Sequence, residues 1–73
     1  MHVVHIAFAA HVPVDSVSSM LTGLGGTGSV RALDETQRRY EVQVLRDGRV
    51  PWLKKQLGRW EQYGFLTYQW VAS

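Results

Sequence analysis

The sequence predicts an α+β fold in which two helices cover one face of a four-stranded antiparallel sheet. Three observations lead to it. Apolar residues recur at every second position near both ends of the chain and again in its middle. Two stretches between those segments switch to helical spacing. A glycine or proline marks nearly every change of period.

The first strand is "HVVHIAFAA" (residues 2–10), which places Val4, Ile6 and Phe8 on one face. In "VDSVSSMLTGL" (14–24) the period changes. Val14, Val17, Met20, Leu21 and Leu24 fall within an arc of roughly 120°, with Asp15, Ser16, Ser19 and Thr22 on the other side. Pro13 suits the first turn, where its missing amide hydrogen costs nothing.

"GLGGTG" (23–28) then matches the glycine spacing of a dinucleotide-binding loop at Gly23, Gly25 and Gly28. Such a loop works after a strand and before a helix, where free amides meet the pyrophosphate. Here the glycines follow a helix, whose C-terminus presents carbonyls and repels phosphate. They read instead as a stop: Gly23 or Gly25 closes the helix, and Gly26 and Gly28 turn the chain into the next strand.

"SVRALDETQRRYEVQVLRD" (29–47) holds two strands with a polar turn near Glu35, Thr36 and Gln37. Tyr40, Val42 and Val44 share one face of the second, and Arg39, Glu41 and Gln43 the other. Asp47-Gly48 forms a tight turn. "VPWLKKQLGRWEQYG" (50–64) is the second helix, opened by Pro51 and closed by Gly64. Val50, Leu53, Leu57 and Trp60 form its buried stripe. Trp52, Gln56 and Tyr63 make a shoulder, and Lys54, Lys55 and Arg59 face away. "FLTYQWVA" (65–72) is the last strand, with Leu66, Tyr68 and Trp70 inward and Phe65, Thr67, Gln69 and Val71 alternating with them.

With right-handed crossovers, the order β-α-β-β-α-β folds most simply as a ferredoxin-like βαββαβ sandwich, one α+β domain over residues 1–73. Its uncovered face would carry Val3, His5 and Ala7 beside Arg39, Glu41, Gln43 and Leu45.

Composition narrows the function. A hydrophobic fraction of 45% suffices for a packed core. The absence of cysteine excludes a disulfide scaffold, a thiolate zinc site and a cysteine nucleophile, and points to the cytoplasm. A formal charge of +2 is too mild to announce a nucleic-acid binder. The longest apolar run, Ile6 to Ala10, falls far short of the roughly 20 residues a membrane helix needs.

No side-chain set assembles into chemistry. His2 and His5 point to opposite faces of a strand and His11 lies beyond it, so no metal site is expected. Asp34 and Glu35 diverge at a turn, and Ser16, Ser18 and Ser19 have no neighbouring base in the chain. No cofactor and no enzymatic activity are expected. The topology is shared with RNA-recognition modules, but their base-stacking aromatics are missing from "RRYEVQVL", which leaves weak backbone binding.

Protein binding fits best. Val3, Leu33, Leu45, Phe65 and Val71 would form an apolar area rimmed by arginines, with Val3, His5, Arg39, Glu41, Gln43 and Leu45 as the contacting residues. A homodimer could use the same face. A small-ligand or nucleic-acid binding module of the same topology is the alternative.

With "LTGLGG" closing the first helix and "LGRWEQYGFLTYQWV" joining the second to the last strand, the chain resembles amino-acid-sensing ACT domains and protease propeptide inhibitors. In length, lack of cysteine and lack of catalytic residues it is also similar to the small RNA-polymerase-binding transcription regulators of Xanthomonas bacteriophages. That resemblance implies a host-takeover protein, cytoplasmic in the host cell. It would bind the host RNA polymerase at the β′ subunit, inhibit initiation and cause antitermination. It carries over no functional residue.

Overall fold

The computed structural model describes residues 1–24 and 28–72. The elements are β1 (His2–Phe8), α1 (Val14–Leu24), β2 (Gly28–Ala32), β3 (Arg39–Val44), α2 (Val50–Gln62) and β4 (Leu66–Ala72), with a short 3₁₀ turn at Asp47–Arg49 leading into α2. All strand pairs are antiparallel, in the order β2-β3-β1-β4. This is the expected α+β architecture.

Register follows from the alternation of side chains. Ile6 sits opposite Tyr40 on one side and Tyr68 on the other; Val4 sits opposite Val42 and Trp70. One phase of every strand is therefore apolar, and a slip of one residue would turn that whole set to water. Val4, Ile6, Phe8, Val42, Val44 and Leu66 are buried beneath Val17 and Leu24 of α1 and Val50, Leu53 and Leu57 of α2. Each fully buried aliphatic side chain contributes about 1.5–3 kcal/mol relative to exposure. Phe8 and Tyr40 meet edge to face at 5.9 Å across β1 and β3.

Four details depart from the simple pattern. Val14 opens α1 at 44% exposed, while Val12, in the preceding turn, enters the core. Trp60 is only partly buried against that core. Gly23 stays within α1 rather than closing it, and Gly28 opens β2; Gly25 and Gly26, also assigned to the stop and turn, lie outside the described residues. Arg38 belongs to no solvated arginine face. Its half-buried guanidinium donates to the carbonyl of Ala9 at 3.1 Å and to that of Val12, pinning the β1–α1 turn.

Two glycines do carry backbone conditions. A Cβ on Gly28 would stand 1.7 Å from the carbonyl oxygen of Gln43, so β2 approaches β3 too closely for any other residue. Gly64 has φ +78° and ends the second helical segment as its sequence position implies.

Candidate functional site

Two surfaces are candidates: the uncovered sheet face and the outer side of the helical layer. On the sheet face the side chains form cross-strand rows. Arg39, Ala7 and Thr67 make one row; Glu41, His5 and Gln69 the next; Gln43 and Val3 a third. The structure therefore brings together Val3, His5, Arg39, Glu41 and Gln43. Leu45 lies one residue past the end of β3 and is 66% exposed.

Glu41 is the hub of this face. Its Oε2 accepts a hydrogen bond from His5 Nε2 at 3.0 Å. Its Oε1 accepts from Arg31 Nη2 at 3.0 Å and from Gln43 Nε2 at 3.3 Å. The His5 bond holds the carboxyl below its ordinary range, helped by the Gln43 bond and the Arg31 charge. With the side chain only 13% exposed, little of this carboxylate remains for a visitor.

Arg39 stands away from this cluster, with Nη1 4.0 Å from Oδ2 of Asp34. Asp34 is itself occupied by the side chain and amide of Thr36, which hold its carboxyl below the usual range. Because Ala7 is small, a shallow hollow of about 240 Å³ opens between Arg39 and Thr67, with His5, Leu33 and Gln69 around it.

The anticipated apolar area is not continuous on this face. Leu33 and Val3 sit at opposite ends of it, with the Glu41 cluster between. Val71 is the extra residue of a bulge where β4 shifts register against β1. Phe65 is on the other side of the molecule. It precedes β4, so the alternation of that strand does not extend to it, and it lines a hollow with His11, Val12, Pro13, Ser16 and Met20.

That hollow, of about 160 Å³, is half of the second candidate. A further hollow of about 150 Å³ lies between the helices, lined by Ser19, Met20, Gly23, Trp52, Gln56 and Trp60. Met20 lines both, so the two hollows lie side by side along α1 and form an apolar trough with Met20 at its middle. Each helix packs more on the sheet than on the other, which leaves the space between them open. Trp52 is 41% exposed on the α2 wall, with the Arg49 guanidinium 6.0 Å from its ring centroid. Lys55 and Arg59 follow along the same helix, exposed and without an ion-pair partner among the described residues.

Sequence reasoning found the Trp52–Gln56–Tyr63 shoulder but placed Met20 only on the apolar arc of the first helix, with no sign of the hollows beside it. A helical wheel gives the direction of a side chain within its own helix; it does not give the gap to the neighbouring helix.

The histidines divide as their strand positions imply. His5 is on the uncovered face. His2 bonds Asp47 at 3.0 Å and meets the edge of Trp70, on the covered side. Among the described residues no group of three or more metal-ligating side chains converges, and no helix is long and apolar enough to cross a membrane. No family model matches the chain, nor does any curated protein or solved structure.

Proposed function

We propose that this chain is a non-enzymatic, cytoplasmic protein-binding regulator. The observation that carries the reading is the trough of the helical layer, where Met20, Trp52, Trp60 and Phe65 line two neighbouring apolar hollows at the surface. Aromatic and methionine side chains in a concave, rimmed setting have the anatomy of a contact surface, and such residues supply most of the binding energy at interfaces. On the sheet face, by contrast, the hydrogen-bonding capacity of Glu41 is consumed internally. Val3, His5, Arg39, Glu41, Gln43 and Leu45 offer a partner a polar, rim-like surface there.

The partner suggested by the resemblance to small phage regulators is a bacterial RNA polymerase, contacted at its β′ subunit. Support for that identity is the likeness of size and composition alone. A promoter-dependent transcription assay tests it. Purified chain should lower initiation by bacterial RNA polymerase in proportion to its occupancy and extend read-through at terminators. Transcription unchanged at saturating chain, together with no complex on size exclusion, would remove polymerase as the partner.

A further inference from the structure

The apolar trough lies beside cations that have no ion-pair partner among the described residues, and this juxtaposition specifies what can fill it. We infer that the trough between α1 and α2 receives an acidic amphipathic helix of a protein partner. The inference deepens the protein-binding reading above and rests on it.

The geometry supplies three conditions. First, the floor is apolar: Met20 and Trp60 are partly buried against the core, and the α1 wall is low because Ser19 and Gly23 are small. A third helix can seat between two others when its ridge meets such a groove. The two neighbouring hollows accept apolar side chains spaced along one face of that helix.

Second, the charges are one-sided. Along α2, Trp52, Lys55 and Arg59 recur at helical spacing, with Arg49 beside Trp52. Neither Lys55 nor Arg59 has an ion-pair partner among the described residues. The α1 wall carries no cation; its single charge is Asp15. A helix with an apolar face and a flank of Glu or Asp places that flank over α2 and leaves the α1 side uncharged.

Third, the same asymmetry disfavours two other occupants. A nucleic-acid backbone gains from cations on both walls of a groove, and α1 provides none. A two-fold pairing of this chain through the trough would offer the α2 cations of one copy at most a single carboxylate, Asp15, on the α1 wall of the other.

The test uses the full chain, uniformly ¹⁵N-labelled, and two synthetic helical peptides. Both peptides carry leucines at i, i+4 and i+7; one fills its flanks with glutamate, the other with lysine. The glutamate peptide should shift the amides of Met20, Gly23 and Gln56 and the indole resonances of Trp52 and Trp60. The lysine peptide should bind at least about tenfold more weakly, since like charges across an interface oppose association. K55E/R59E, both exposed positions, should weaken the glutamate peptide by about tenfold or more while the spectrum stays folded.

Equal affinity for the two peptides, no binding by either, or shifts confined to the His5 and Arg31 face would overturn the inference. So would a single-stranded oligonucleotide that binds the trough more tightly than the glutamate peptide, or light scattering that shows a dimer with the trough resonances broadened. Failure of polymerase as the partner is separate, because it appears as polymerase that does not bind the wild-type chain. Polymerase that binds wild type and K55E/R59E equally would leave that reading standing and refute the trough.

Discussion

His5 and Glu41 face each other across the β1–β3 pair, with the imidazole Nε2 3.0 Å from the carboxylate Oε2. Glu41 also receives Arg31 and Gln43, so its ionised form is favoured in the folded chain and its pKa lies below the ordinary 4.5. A depressed carboxyl stabilises the fold above its unfolded value, and that contribution disappears as pH falls through the folded value. Asp34 acts in the same direction from its own ordinary 3.8, mainly through Thr36. The urea midpoint should therefore fall from pH 6 to pH 3 in the wild type, and fall less in Glu41→Gln. Parallel decline in the two proteins would show that Glu41 plays no part in it.

Arg38 links the hairpin to the β1–α1 turn through the carbonyls of Ala9 and Val12. Hydrogen bonds from a charged donor are worth more than neutral ones, so Arg38→Ala should cost about 1.5–3 kcal/mol. Arg46→Ala, at an exposed position, should change stability by less than about 0.5 kcal/mol. Chemical denaturation of the two variants separates a buried staple from a solvated cation.

Leu57 is fully buried on α2 and Lys55 is exposed. Leu57→Ala should cost about 2–5 kcal/mol, which for a domain this small approaches its whole stability. Lys55→Ala should stay within about 0.5 kcal/mol. Similar losses at both sites would mean that the register of α2 is different.

The sheet was readable because its signal is redundant. Val4-Ile6-Phe8 and Tyr40-Val42-Val44 each commit three side chains to one face, and the register that pairs them buries both sets at once. The helices were readable in phase but less so at their ends. Val14 fits the apolar arc of α1, yet as the first helical residue it has no neighbour above it, and Val12 fills the core instead.

Phe65 fits the alternation of "FLTYQWVA", yet it precedes the strand that would have fixed its direction. The candidate site suffered most from this kind of limit. His5, Glu41 and Gln43 were correctly placed on one face, but their mutual hydrogen bonds depend on side-chain reach across strands. Arg38 reaches a turn 26 residues away in the chain, and no local pattern records that contact.

Gly28 and Gly23 make a paired test of the backbone. Gly28→Ala forces β2 and β3 apart, since its Cβ would meet the Gln43 carbonyl, and should cost about 1–3 kcal/mol or more. Gly23→Ala meets nothing within 4 Å and sits inside α1, where alanine should stabilise by a few tenths to about 1 kcal/mol. Thermal unfolding of both variants reads the difference in sign directly.

The sheet face and the helical trough are best separated by the equilibrium affinity of purified bacterial RNA polymerase for three folded chains. These are the wild type, Leu45→Asp at the end of β3, and Trp52→Ala/Arg59→Glu on α2. Binding through the trough predicts a loss of more than about tenfold for the α2 variant, as truncating an aromatic anchor beside a rim charge produces, and a near wild-type value for Leu45→Asp. An unchanged affinity for the α2 variant with a large loss at Leu45→Asp would put the partner on the sheet face. No measurable affinity for any of the three would contradict polymerase binding itself.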